Sequence, residues 1–127
     1  MKLSREEIEK IANSVNLEFK DRKSEKKYIK CINDKSRNSV IDYMDRWAKV
    51  MQYYIKNKGY DVATIAQETK DCCDFDGISG FMYGCVVNNL CQVWKYGDEL
   101  RNWHNDEYKF KGDGVANPAL LNVEEEL

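Results

Sequence analysis

The chain has 127 residues, of which 43% are hydrophobic and 33% charged, and this composition is that of one soluble globular domain. An aromatic content of 12% excludes an intrinsically disordered chain, which lacks the apolar side chains needed for a core. No apolar stretch reaches the roughly twenty residues of a bilayer-spanning helix, which excludes a transmembrane protein. The amino-terminal residues MKLSREEIEKIANS carry charges where a signal peptide has its apolar segment, so we expect a cytoplasmic protein.

The net charge of −2 conceals an asymmetry along the chain. Residues 1–58 hold 15 basic and 9 acidic side chains, whereas residues 59–127 hold 5 basic and 13 acidic ones. Such a division can mark a charged contact surface, and it can equally hold two halves of one fold together. The five cysteines follow no disulfide framework, so we expect reduced thiols, and Cys85 and Cys91 suit a hydrophobic core.

Two of the predicted helices carry clear end signals. Ser4–Glu7 has the pattern of a capping box, in which serine and glutamate each accept an amide hydrogen of the first turn. Behind it, apolar residues from Ile8 to Val15 share one helical face. Residues 39–58 carry a longer apolar stripe with steps of three and four residues, and Gly59 follows it as glycine follows many helix ends.

Two further helices are indicated by the same spacing. The shorter one begins at Val62 and ends at Cys72 or Cys73, and apolar side chains between Ile78 and Tyr108 trace one face of a single long helix. Gly97 is the point at which this long helix would bend. No stretch alternates apolar and polar residues for long enough to predict a sheet.

These patterns together predict an all-α fold, a compact bundle of four or five helices with short loops. We expect residues 1–111 to form a single helical domain. Residues 112–127, GDGVANPALLNVEEEL, have the turn-forming residues of an irregular carboxyl-terminal tail, which we expect to pack on the domain or to flank it.

The chain has one histidine, His104, which is the first candidate for catalysis. A general base needs a partner within hydrogen-bond reach, and Glu107 lies three residues further along the same helix. No cysteine lies at helical spacing from His104, so we interpret it as a surface or boundary residue and predict that the protein is not an enzyme. The adjacent Cys72 and Cys73 lack the second ligand pair of a zinc site, and we predict no metal and no cofactor.

A basic segment offers a nucleic-acid-binding alternative. If residues 20–31 are helical, several cations line one edge, where phosphates could bind. The acidic residues Asp21 and Glu25 interrupt the run, so a solvated helix face is the other interpretation. The candidate nucleic-acid-binding residues are Lys20, Arg22, Lys23, Lys27 and Lys30.

Glycines at positions 77, 80 and 84 recur at short spacing. Glycine inside a helix costs about 1 kcal/mol relative to alanine, so a reason in packing or in ligand contact is expected. Close packing against another helix is the favoured interpretation, and a small-ligand-binding face is the alternative.

The stretch CQVWKYGDELRNWHND, residues 91–106, holds two of the three tryptophans. Trp94 and Trp103 are nine residues apart, so they lie on opposite sides of one helix. Trp103 shares the apolar face with Leu100. This leaves Trp94 either exposed as an interface anchor or covered by the tail, and the sequence leaves both open.

The run ISGFMYGCVVNNLCQVWKYGDELRNWHNDEY followed by GDGVANPALL resembles small uncharacterised proteins of phages and mobile elements of Gram-positive bacteria. Those proteins carry a similar GFMYG, W+HGEELR+WHN and GDG-NPA pattern, in which a histidine stands where this chain has Tyr96. The resemblance implies a genetic setting more than an activity. It also implies stoichiometric action, in which a small acidic helical protein binds and blocks a host enzyme such as a CRISPR effector nuclease.

The leading hypothesis is therefore a non-enzymatic inhibitor that binds a host protein. Its acidic late helix would occupy a basic nucleic-acid groove of that protein, so that charge speeds association and buried aromatic side chains slow release. The candidate partner-binding residues are Trp94, Asp98, Glu99, Arg101, Trp103, Asp106 and Glu107.

Overall fold

The computed structural model of the chain describes residues 3–34, 39–72 and 80–108. These residues form six helices: α1 (Arg5–Ser14), α2 (Arg22–Asn33), α3 (Ser39–Lys58), α4 (Val62–Cys72), α5 (Gly80–Val93) and α6 (Gly97–Tyr108). The predicted all-α fold is confirmed, with a higher helix count because the predicted long helix is divided into α5 and α6. The predicted tail and the domain boundary at residue 111 lie outside the described residues. None of the described helices is both long and apolar enough to cross a membrane.

Helix α3 lies at the centre of the bundle and packs against α1, α2, α4 and α5. Its side chains Met44, Trp47 and Met51 are fully buried, because steps of three and four residues place them on one face. Helix α6 packs on α5 and on α4. It therefore forms an outer layer whose remaining face is open to solvent.

The helix ends follow the predicted signals where the described residues include them. The Glu7 amide donates to Ser4 Oγ at 3.1 Å and the Ser4 amide donates to Glu7 Oε1 at 3.1 Å, which confirms the capping box. Gly59, with a φ of 73°, ends α3 in the left-handed region that favours glycine. Asp21 caps α2 by accepting the Ser24 amide hydrogen at 2.8 Å, and Asp61 caps α4 by accepting that of Thr64 at 3.0 Å.

The prediction of one continuous helix from residue 78 to 108 is wrong, because the chain turns between Val93 and Gly97. Here the backbone pairs with the segment that joins α1 to α2. The Lys20 amide donates to the Val93 carbonyl at 2.8 Å, and the Lys95 amide donates to the Glu18 carbonyl at 3.0 Å. A helix cannot continue through Val93–Lys95 while these backbone groups bond to another segment.

Gly97 permits the turn between α5 and α6. A Cβ atom at this position would lie 2.4 Å from the carbonyl oxygen of Cys91, which is closer than any side chain tolerates. The sequence marked Gly97 as a bend, whereas the structure makes it the first residue of a new helix. This turn sets the direction of α6 and hence the position of its acidic face.

Candidate partner-binding surface

Trp94 is a structural residue of the core, and its interpretation as an exposed interface anchor is corrected. Its side chain is completely buried. The indole N–H donates to Gln52 Oε1 at 3.1 Å, so burial leaves this polar group hydrogen-bonded. The segment that joins α1 to α2 pairs with Trp94 through an antiparallel bridge at Phe19. Trp94 therefore stabilises the α5–α6 turn and offers no surface to a partner.

Gln52 on α3 holds this junction together, a role that was not predicted from the sequence. Its Oε1 also accepts the Glu18 amide hydrogen at 2.9 Å, and its Nε2 donates to the Asn16 carbonyl at 2.8 Å. The buried side-chain amide of Gln52 thus fixes the joining segment to α3 and accepts the hydrogen of the Trp94 indole N–H. The Glu18 carboxylate adds ion pairs with Lys56 and Lys95.

Asp98 and Arg101 lie on α6 but are engaged within the molecule. The Asp98 side chain is 86% exposed and pairs with Lys20 Nζ at 2.7 Å. Arg101 Nη2 donates to Asn88 Oδ1 at 3.2 Å and Nε donates to Cys91 Sγ at 3.5 Å. Both contacts orient α6 against its neighbours, and neither side chain lines the groove between α4 and α6.

Three of the predicted residues meet in a groove between α4 and α6, which we call the acidic groove. Glu99, Trp103 and Asp106 lie at i, i+4 and i+7 on α6 and so share one face. The groove has a volume of 450 Å³, and its full lining is Asp61, Val62, Ala63, Glu99, Asn102, Trp103 and Asp106. The Glu107 side chain lies outside the described residues.

The acidic groove carries negative charge from two helices. Hydrogen bonds from Thr64 lower the pKa of Asp61, so this carboxylate is ionised at neutral pH. Glu99 and Asp106 are exposed on α6. The described lining residues include no basic side chain. Between the carboxylates, Trp103 is 7% exposed, and its ring packs against Tyr83 at a centroid distance of 6.0 Å.

His104 is buried, which corrects its interpretation as a surface or boundary residue. Only 4% of it is exposed. Its ring lies 5.7 Å from that of Tyr83 and 6.2 Å from that of Trp103, in an aromatic cluster that continues to Trp47. This position gives the imidazole no open access to a substrate. Among the described residues, no group of three or more His, Cys, Asp or Glu side chains is placed to hold a metal ion.

Cys31, Cys85 and Cys91 are buried thiols. Burial raises the pKa of the Cys85 thiol. Burial also raises the pKa of Cys91, although the nearby Arg101 guanidinium acts in the opposite direction. The three thiols fill space among the helices, as expected for Cys85 and Cys91, and the raised pKa values of Cys85 and Cys91 keep these two thiols neutral at physiological pH.

The basic segment forms only part of the predicted stripe. Lys23, Lys27 and Lys30 share one side of α2 with a spacing of four and three residues. Lys20 precedes the helix and pairs with Asp98. Arg22, Lys23 and Lys30 are exposed, whereas Lys27 is half-buried. Of the glycines considered for ligand contact, Gly77 lies outside the described residues and Gly84 is buried within α5.

Comparison with known proteins identifies a family. Residues 17–125 match the family model described as Type I Thoeris inhibitor Tad4. No curated protein and no solved structure matches the chain. The match confirms the resemblance to small phage proteins, whereas a Gram-positive origin stays a prediction. It names Thoeris as the defence system, so a CRISPR effector as the target is not supported. Because the match covers most of the chain, including α2 to α6, this protein belongs to the Tad4 family of Type I Thoeris inhibitors.

Proposed function

We propose that this chain inhibits Type I Thoeris defence by binding a protein of that system stoichiometrically and without catalysis. Membership in an inhibitor family supports the inhibitory role. The burial of His104 in the aromatic cluster supports action by binding. The partner is a host protein, and neither a cofactor nor a metal takes part.

The acidic groove is the contact surface that we propose. The observation that carries this proposal is that Asp61, Glu99 and Asp106 line one groove together with Trp103. A guanidinium of the partner fits this arrangement, because it donates paired hydrogen bonds to carboxylates. Trp103, which is 7% exposed, forms the apolar floor of the groove and offers no ring face for stacking. The partner surface is therefore rich in arginine or lysine.

Asp98 and Arg101 contribute indirectly to this surface. Through Lys20, Asn88 and Cys91 they fix the orientation of α6 on which Glu99 and Asp106 stand. The surplus of acidic residues in the carboxyl-terminal half raises the association rate with a basic partner. Glu107, whose side chain is not described, stays a candidate contact.

The experiment is quantitative capture of the tagged full-length chain from cells that carry Type I Thoeris genes and from cells that lack them. The test variant is Glu99→Lys with Asp106→Lys. Its matched control is Glu6→Lys with Glu9→Lys, which makes the same charge change on the exposed side of α1. We expect a Thoeris protein to be captured by the wild type and the control. Capture by the test variant should fall at least about tenfold, because two charge-assisted contacts become repulsive.

Equal capture by the test variant and its control would contradict the proposed surface. Absence of any Thoeris protein from all captures would contradict protein binding altogether. A rise in melting temperature on addition of small molecules extracted from the Thoeris-carrying cells would instead indicate the small-ligand alternative.

The nucleic-acid alternative is tested on α2. Lys23 and Lys30 are exposed on one side of this helix. If the segment binds DNA or RNA, affinity falls steeply with salt, and replacement of both lysines by glutamate abolishes binding. We expect no salt-sensitive gel shift, because Asp21, Glu25 and the acidic net charge oppose binding to phosphates.

A further inference from the structure

A second groove, distinct from the acidic groove, lies between α2, α3 and the segment that joins α1 to α2. We call it the apolar groove. It has a volume of 360 Å³. Among the described residues, Ile29 is the one large hydrophobic residue that is exposed, at 48%, and it lines this groove. The apolar lining consists of Val15, Leu17, Phe19, Ile29 and Ile32, with the ring of Tyr28. An apolar patch of this kind on a small domain indicates a contact site.

The charges around the apolar groove select its occupant. Lys49 in the wall pairs with Asp45 at 2.9 Å, and Asp45 also accepts the Tyr28 hydroxyl hydrogen at 2.5 Å, so this pair is neutral overall. Glu25 adds one negative charge to the lining. On the adjoining exposed side of α2 stand the cations Arg22 and Lys26. The occupant is therefore a segment that combines apolar side chains with carboxylates at one end.

We propose that the apolar groove binds the carboxyl-terminal segment of this same chain, residues 115–127. The sequence of this segment, VANPALLNVEEEL, is the reason for proposing it as the occupant. Leu120, Leu121 and Val123 supply the apolar side chains. The three glutamates that follow supply the carboxylates, which bind beside Arg22 and Lys26.

The length of chain beyond α6 is sufficient for this contact. The residues after Tyr108 extend to Leu127, and at about 3.3 Å per residue they reach roughly 60 Å. A domain of this size has a diameter of roughly 35 Å, so every face lies within reach. Attachment to the same chain also gives the segment an effective concentration in the millimolar range, so that even weak contacts fill the groove.

Two alternative occupants are less well matched. A second copy that presented its own α2 would bring the cations Arg22, Lys23 and Lys26 of both copies together, and this repulsion opposes a symmetric dimer through the apolar groove. A segment of a partner protein would compete with the tethered tail. The family match to residue 125 further indicates that most of the tail belongs to the functional unit.

The experiment is nuclear magnetic resonance of the full-length chain with labelled isoleucine, leucine and valine methyl groups. We expect nuclear Overhauser contacts from the Ile29 and Ile32 methyl groups to methyl groups of Leu120 and Leu121. In a tail variant, Leu120→Asp with Leu121→Asp, these contacts should vanish and the two isoleucine signals should shift. The buried Ile8 and Ile65 report on the rest of the fold, and their signals should stay in place.

A charge exchange provides the second arm. Replacing Glu124, Glu125 and Glu126 with lysine should weaken the methyl contacts, and adding Arg22→Glu with Lys26→Glu should restore them. Unchanged Ile29 signals in the tail variant, or restoration that fails, would overturn the proposal. Contacts that grow with protein concentration would assign the groove to a second copy and equally overturn it. No Thoeris component is present, so the result is independent of the proposed inhibitory function.

Discussion

Trp94 and Trp103 lie within the same short stretch of sequence, yet the regions around them differ in kind. The indole of Trp94 is enclosed by α3 and the joining segment, and Gln52 accepts its N–H hydrogen. Trp103 is 7% exposed and lines the acidic groove together with Asp61, which caps α4, and with Glu99 and Asp106 of α6. The complete burial of Trp94 leaves no polar group unsatisfied, because Gln52 accepts its indole hydrogen inside the fold. Aromatic residues with charged neighbours in sequence are thus a poor guide to a binding surface unless their buried partners are known.

The largest effect should come from removing the Trp94 side chain. Trp94→Ala leaves a cavity and deprives Gln52 of a donor, so we expect a loss of about 3–5 kcal/mol in the free energy of unfolding. Urea denaturation followed by circular dichroism measures it. A loss below about 1 kcal/mol would contradict the structural role of Trp94.

Gln52→Leu should have the next largest effect. Leucine has a similar size but accepts no hydrogen bond, so the Trp94 indole and the Glu18 amide lose their shared acceptor. We expect a loss of about 2–4 kcal/mol, since each buried unsatisfied donor costs about 1–3 kcal/mol. The same denaturation experiment tests this value. An unchanged midpoint would show that other groups satisfy these donors.

Gly97→Ala tests the turn that separates the two regions. The added methyl group would lie 2.4 Å from the Cys91 carbonyl oxygen, so α6 must shift relative to α5. We expect a loss of about 1–3 kcal/mol, typical of overpacking. Partner capture should fall as well, because the shift displaces Glu99 and Asp106. Unchanged stability and unchanged partner capture in Gly97→Ala would contradict the close approach of Gly97 to the Cys91 carbonyl.

The acidic groove should behave in the opposite way from the Trp94 region. Glu99→Lys with Asp106→Lys changes exposed side chains, so we expect the free energy of unfolding to change by less than about 0.5 kcal/mol per site. A large destabilisation would show that the carboxylates serve the fold. Stability that is retained while partner capture is lost would sharpen the contrast between the two regions.

The smallest effect concerns pH. Hydrogen bonds from Thr64 lower the pKa of Asp61 in the folded chain below its ordinary value of 3.8, so the folded state binds this proton less readily than the unfolded state. Its stabilisation is therefore present above pH 3.8 and is lost as the pH falls through the lowered folded-state pKa. In Asp61→Asn, the melting temperature should fall less between pH 5 and pH 3 than it does in the wild type, because the variant lacks the carboxylate whose pKa is lowered by folding. An identical decline would contradict the cap.

Features that depend on local sequence were predicted well. The capping box at Ser4–Glu7, the stripe of α3 and the glycine after it depend on neighbours within one or two turns, and the structure confirms them. The break after Val93 could not be predicted, because it depends on pairing with Glu18 and Lys20, more than seventy residues earlier.

The candidate site was predicted in part for the same physical reason. Glu99, Trp103 and Asp106 share one face by helical spacing alone, so the sequence brought them together. Asp61 joins them only because α4 packs on α6. The position of Asp61 just before Val62 indicated a helix cap. Residue spacing could not indicate that α6 packs beside this cap. For the Trp94 junction, the one indication in the sequence was Gln52, a polar amide residue next to the apolar stripe of α3.

The most direct test of the account is the number of phage plaques on cells that carry Type I Thoeris genes and express the chain. We expect the wild type and the control with Glu6→Lys and Glu9→Lys to restore plaques to the number seen without Thoeris. The variant with Glu99→Lys and Asp106→Lys, folded and equally expressed, should leave defence intact. Full restoration of plaques by that variant would contradict inhibition through the acidic groove.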